Sequence, residues 1–215
     1  MPSFKLSTLC VAFILMLSVS ILTDAHTVKM TRRSSDQPTL NLELIMQDDP
    51  DLDDGTLWIF TLNATVAFKV TMPLYDGKGH TQYVVTDHSG RVSVVLDSHD
   101  DHCYRKTHYK DKHGLRIEID PRGPITDRWY LSFAAIPGVE FEFKRYVFHE
   151  SGDIINKSSK KVVATLRVEK RKEPWIRSRF QSPNAYVLRT DGTISISDLA
   201  TFMALVQWRT SICGL

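Results

Sequence analysis

The densest run of chemically capable side chains is Ser98-His99-Asp100-Asp101-His102-Cys103, with His108 and His113 close behind. Imidazole and carboxylate are good ligands for zinc or copper, and a loop can fold several of them onto one ion. That makes His99, His102, His108 and His113 the candidate metal ligands. Their spacing fits no zinc motif, however, and a solvated loop between strands explains the same residues. The expectation is therefore no bound metal and no cofactor. Asp49, Asp51, Asp53 and Gly55 invite a calcium reading, but an EF-hand loop needs Gly at its sixth place and Glu at its twelfth. Counted from Asp49, those places hold Asp54 and Phe60. Asp191-Gly192-Thr193-Ile194 fails in the same way, because its first and third places would be Val187 and Arg189. Both runs read as turns.

No G-x-S-x-G, H-E-x-x-H or phosphate-loop pattern occurs, so no residue is assigned a catalytic role. Catalysis assembled by the fold stays open on motifs alone. One oxidative alternative rests on His26. If the chain is cut after Ala25, histidine becomes the mature N-terminus, the arrangement with which copper polysaccharide monooxygenases hold their metal. A further cluster, Lys170, Arg171, Lys172, Arg177 and Arg179 around Trp175 and Phe180, is a candidate contact for an anionic surface. Its plainer reading is a solvated turn. Over the whole chain Lys+Arg number 27 and Asp+Glu 25, a net +2 that argues against nucleic acid as a partner.

Compartment is read at the N-terminus. Lys5 precedes an apolar run from Leu6 to Leu22, and Thr23-Asp24-Ala25 supplies small residues before a cut. Residues 1–25 are thus expected to be a cleaved secretory signal, leaving a soluble, extracellular chain. Residues 26–38 read as a flexible polar arm; Arg32-Arg33 within it reads as part of the solvated arm, with a dibasic processing site as the alternative. Residues 39–215 read as one β-rich domain, large enough to bury a core. Asn63-Ala64-Thr65 and Asn156-Lys157-Ser158 are glycosylation sequons, acceptors in an exported protein. Cys103 and Cys213 remain after Cys10 leaves with the signal. The default in an oxidising compartment is one disulfide, closing a loop of about 110 residues and contributing about 5 kcal/mol by chain entropy. Two free or intermolecular thiols are the alternative.

The elements that position these residues follow from a period-two pattern. Leu40, Leu42, Leu44 and Met46 mark a first strand. Trp58, Phe60, Leu62, Ala64, Val66, Phe68 and Val70 read as one long strand with Asn63 on its wet face. Residues 81–86 and Val92, Val94 and Leu96 form a hairpin about Asp87-His88-Ser89-Gly90. A polar loop from Asp97 to Gly114 follows, then strands at 115–119, 129–133 and 139–143, with a bulge expected near Arg145-Tyr146. Val162, Ala164, Leu166 and Val168 face inward from a last strand. After Pro174 only one element stands out, a helix from Asp198 to Trp208 with Ser197 as N-cap and Leu199, Phe202, Met203 and Val206 as its apolar stripe. The fold expected is mainly β, an antiparallel half-barrel or sandwich with one C-terminal helix.

The stretch from Val95 to Thr107 resembles ependymin-related proteins: an apolar-Asp pair ends a strand, and a cysteine follows six residues later with basic residues and a threonine behind it. Asp97, Cys103, Arg105, Lys106 and Thr107 occupy those places. The resemblance covers about a tenth of the chain, and the family usually carries more cysteines. It implies an extracellular half-barrel shaped like the bacterial lipoprotein carriers, enclosing an apolar pocket for lipid. The functional expectation is a secreted glycoprotein that binds a hydrophobic or lipid ligand without chemistry. A sandwich domain binding a protein or glycan through its loops is the alternative from another class, beside the copper enzyme.

N-terminal mass analysis of the secreted protein is expected to find His26 as its first residue. Any other first residue removes the copper reading.

Overall fold

A computed structural model of the chain describes residues 42–48, 55–75, 78–121, 127–146, 149–180 and 182–213. The signal segment, the arm with His26 and Arg32-Arg33, and Asp49, Asp51 and Asp53 lie outside the described residues.

Twelve strands follow one another among the described residues: β1 (Leu42–Gln47), β2 (Thr56–Thr61), β3 (Val66–Tyr75), β4 (Thr81–Asp87), β5 (Val92–Ser98), β6 (Thr107–Asp111), β7 (Arg116–Pro121), β8 (Asp127–Ser132), β9 (Glu140–Arg145), β10 (Gly152–Asn156), β11 (Val162–Lys170) and β12 (Asn184–Thr190). A short helix, α1 (Pro174–Arg179), precedes β12, and a long one, α2 (Ile196–Cys213), ends the fold. Each strand pairs antiparallel with its neighbours, and β1 also pairs with β12 through Leu44↔Leu188 and Ile45↔Val187, so the sheet closes. The half-barrel or sandwich expected from the pattern is instead a closed barrel, with the mainly β character and the C-terminal helix as expected.

Closure at this strand number has a consequence. Eight strands make a barrel whose own side chains fill it, whereas twelve leave a lumen that something must occupy. The helix α2 occupies it. Every residue from Leu199 to Gln207 is buried, which a helix lying on a surface cannot achieve. Phe202 meets Trp129 of β8 at 5.8 Å and Phe143 of β9 at 4.9 Å, both edge-on. The helix also packs against β3, β4, β5 and β12. Leu44, Ile59, Val70, Val85, Leu96, Ile117, Leu131, Phe141 and Leu166 line the surrounding wall.

The expected amphipathic stripe of this helix therefore understates it: Ala200, Thr201, Ala204 and Leu205 are buried as well. Its N-cap is Ser195, not Ser197, since the Asp198 amide donates to Ser195 Oγ at 3.2 Å. The run from Trp58 to Val70 is two strands, not one. The turn between β2 and β3 contains Ala64 at φ 64°, and Ile59 and Phe60 straddle a register shift. Leu57 and Ile59 face the lumen, leaving Trp58 46% exposed outside. The polar stretch from Asp97 to Gly114 contains β6, which buries Thr107 and Tyr109 and exposes His108 and Lys110. In place of a bulge at Arg145-Tyr146, β9 ends at Arg145. The irregularity falls between β10 and β11, where Ile154 faces Ala164 and Ile155 faces Val162.

Beyond Pro174, α1 and β12 were both outside the expectation, and together they explain why. Ile45, Phe60, Ile176, Phe180, Ala185 and Val187 form a second apolar cluster. The helix α1 lies over the outer face of β1, β2 and β12, so β12 is buried on both sides and loses its alternation.

The chain alternates between the barrel's two ends. One is the mouth where α2 begins and where the β2–β3, β4–β5, β6–β7, β8–β9 and β10–β11 hairpins turn. At the other, Cys213 at the end of α2 is disulfide-bonded to Cys103 in the β5–β6 connection, 110 residues away.

Because Phe202 fills the lumen between β8 and β9, Phe202→Ala is expected to cost about 3–5 kcal/mol of unfolding free energy in urea titrations.

Candidate binding cleft

The polar cluster of the β5–β6 region does not gather into a metal centre. The rings of His99 and His80 stack with centroids 4.3 Å apart. His102 packs so closely on Gly79, itself at φ +103°, that a Cβ there would lie 2.9 Å from the imidazole Nε2. His108 bridges two acids, its Nδ1 2.8 Å from Asp100 Oδ2 and its Nε2 3.6 Å from Glu118 Oε2. The two ring nitrogens face apart, so no single ion can be shared with both carboxylates. His113 sits at the opposite end of the barrel, in the β6–β7 turn, where its amide donates to Asp111 Oδ1. Among the described residues no group of three or more His, Cys, Asp or Glu can hold a metal ion.

Two members of the cluster instead fasten the helix. Arg209 of α2 and Asp101 pair at 2.5 Å with side chains 2% and 6% exposed. Arg209 Nη2 also donates to the His102 carbonyl. Tyr109 lies alongside, its hydroxyl pKa pushed up by burial and then by the Asp101 charge. Asp100 is held below the usual carboxylate range: burial opposes this, and donation from His108 and Ser98 overcomes it. With the Cys103–Cys213 disulfide next door, this is a clasp on the end of the plug. Only the cysteine pair signalled it in the sequence; a lone Arg among apolar helix residues has no partner until the barrel closes.

The basic patch divides. Arg171 is drawn into an ionic network on the outer face, pairing with Glu43 at 2.9 Å, with Glu169 at 3.5 Å and with Glu173. Arg189, opposite Glu43 in the register, binds Glu43 at 2.8 Å and Glu169 at 2.6 Å. Arg179 stacks on Phe60 at 5.2 Å. Lys170, Lys172, Arg177 and Arg179 are the exposed cations of the group.

The site that sequence reasoning missed lies at the mouth. A cleft of about 850 Å³ opens between the start of β1, the β2–β3 hairpin, the β4–β5 hairpin and the first turn of α2. Leu42, Leu44, Leu62, Val66, Ala67, Phe68 and Ile196 supply its apolar walls. Leu62 and Leu42 are 52% and 44% exposed, unusual for leucine beside a well-packed core. Local geometry sets both hairpins. The Thr61 amide donates to the Thr65 carbonyl at 2.9 Å across the turn that carries Leu62 and Asn63. In the other hairpin, Asp87 accepts from the Ser89 and Arg91 amides, the Ser89 hydroxyl and the Arg91 guanidinium. Those contacts, Ser89 foremost, hold the Asp87 carboxyl far below the usual range.

Both carboxylates at the cleft are thus committed to arginine: Asp87 to Arg91, and Glu43 to Arg189 and Arg171. What the walls offer is apolar contact, with hydroxyls of Thr61, Thr65, Ser93 and Ser197 around it. A second hollow of about 460 Å³, on the outer face of β6–β9, is of another kind. Its rim is ion pairs, Lys106–Glu118 at 2.7 Å and Lys157–Glu140 at 2.5 Å, with Lys157 also over Tyr130.

No protein-family model and no curated protein matches the chain. Among solved structures, the X-ray structure of a protein from Arabidopsis thaliana is similar at 18% identity and a TM-score of 0.47, over 80% of this chain and 90% of that one.

The clasp generates a mutational contrast. Arg209→Ala strands Asp101 without its partner and is expected to lower unfolding free energy by about 3–5 kcal/mol. The paired change Asp101→Leu with Arg209→Met is expected to cost far less in the same urea titration.

Proposed function

We propose that this chain is a secreted, non-catalytic glycoprotein that takes a slender amphiphile, an apolar chain with a neutral or zwitterionic head, into the cleft at the barrel mouth. The observation that carries the reading is a half-open apolar cleft within the size range of small-molecule sites, rimmed by hydroxyls and by carboxylates already paired to arginine. Apolar walls favour hydrocarbon in proportion to the area removed from water. A cationic head would have to break an existing ion pair to find a carboxylate there, and an anionic head would meet only His88 and the exposed Arg91, which Asp87 already holds.

The ligand's place differs from the one the sequence suggested. A half-barrel carrier would enclose its lipid, whereas here the helix α2 fills the interior and the binding surface moves to the rim. The ependymin-like stretch implies the same ligand class. It contributes the end of β5 and the clasp at the other end of the barrel, so it supports the reading through resemblance alone and not through contact.

Lipid extraction and native mass spectrometry of the secreted protein are expected to show a co-purifying amphiphile, and a fluorescent fatty-acyl probe is expected to bind the stripped protein. Leu62→Asp places a charge in the apolar wall and should weaken the probe by about tenfold or more, roughly 1.4 kcal/mol. Trp58→Asp, on the outer face away from the cleft, should leave the affinity unchanged. A protein that is empty as secreted and takes up no probe would sink the proposal.

A further inference from the structure

The cleft and one of the two sequons coincide. Asn63 lies in the β2–β3 turn, exposed, and is itself part of the cleft lining beside Leu62. The turn is tightly held, with Ala64 donating to the Thr61 carbonyl at 3.1 Å in addition to the Thr61–Thr65 bond, so whatever Asn63 carries stands at a fixed place on the lip. Asn156 ends β10 at the same end of the barrel, yet β12 and β1 intervene between the two hairpins and Asn156 does not line the cleft. Its side-chain oxygen accepts from the Ser158 and Ser159 amides, a turn of its own.

We infer that a glycan on Asn63 gates the cleft, excluding macromolecular partners while leaving the opening free to slender ligands. This rests on the reading of the chain as exported and its sequons as used. The physical reason is size and hydration. An N-linked glycan is bulky and strongly hydrated. Set beside a half-exposed leucine on the rim, it keeps another protein surface from approaching closely enough to bury that leucine. A single acyl chain needs no such approach. An exposed apolar opening of this kind is otherwise an association liability in a secreted protein, and the glycan removes the liability without filling the site. The second sequon, outside the cleft, supplies an internal control.

The test reads access to the lip directly and needs no ligand, so its outcome is separate from that of the amphiphile reading. Leu62→Cys leaves the sequon intact and puts a thiol on the rim. In the glycosylated protein, N-ethylmaleimide is expected to label it readily, while a polymer-linked maleimide reacts about tenfold more slowly relative to that small reagent than in the unglycosylated form. Asn63→Gln and Thr65→Ala, which remove the sequon by different atoms, should each abolish the discrimination, and Asn156→Gln should preserve it. Enzymatic trimming of the folded glycoprotein gives the same comparison should either variant fail to be secreted. Equal discrimination with and without the Asn63 glycan would overturn the gate, as would an intact mass showing Asn63 unmodified in the secreted protein.

Discussion

The rest of the molecule depends on filling the space that twelve strands enclose. A closed sheet pairs each strand on both sides and leaves no free edge to aggregate, but at this circumference its own side chains do not reach across the lumen. A helix buried from Leu199 to Gln207 supplies the missing volume, and its aromatic and aliphatic side chains meet those of the strands on all sides. Closure without the plug would leave a large dry void lined by Trp129, Phe141 and Phe143, and the plug without closure would expose a helix that is apolar all round. Each makes the other stable.

That constraint orders the two ends. The helix must be delivered into the barrel after β12 and held there, and at its far end a covalent bond, a buried ion pair and a hydrogen bond to the His102 carbonyl all converge on the β5–β6 connection. The ion pair is costly to desolvate and serves better as a device of position than as a source of stability: it accepts one depth and one rotation of the helix. At the opposite end the helix begins at Ser195, and its first turn forms one wall of the cleft. The same element that closes the interior to ligands therefore helps to build the surface proposed to bind them.

Charge on the outside follows a similar division. Glu43, Glu169, Arg171 and Arg189 neutralise one another across β1, β12 and β11, and the hollow on β6–β9 is rimmed by ion pairs. The cleft is where carboxylates are tied back by arginine and apolar walls remain open, which is why amphiphile binding is proposed there and not on the more polar faces.

What the sequence determined by itself were properties written in neighbouring residues: alternating strands at Val92–Leu96, Trp129–Leu131 and Phe141–Phe143, a late helix, and the pair of cysteines left to bond. Local patterns of period two and 3.6 need no knowledge of the partner. They misled where a residue's surroundings come from distant chain. β12 shows no alternation because α1 covers its second face, Trp58 faces water because it shares the outer face with Phe60 but lies outside the cluster that α1 covers, and Arg209 looks out of place until Asp101 meets it. Closure itself is of this kind. Whether the first strand pairs with the last is decided by the register of Leu44 on Leu188, contacts 144 residues apart in numbering that no local pattern encodes. The mouth cleft, made from three stretches of chain and a helix turn, exists only once that pairing has formed.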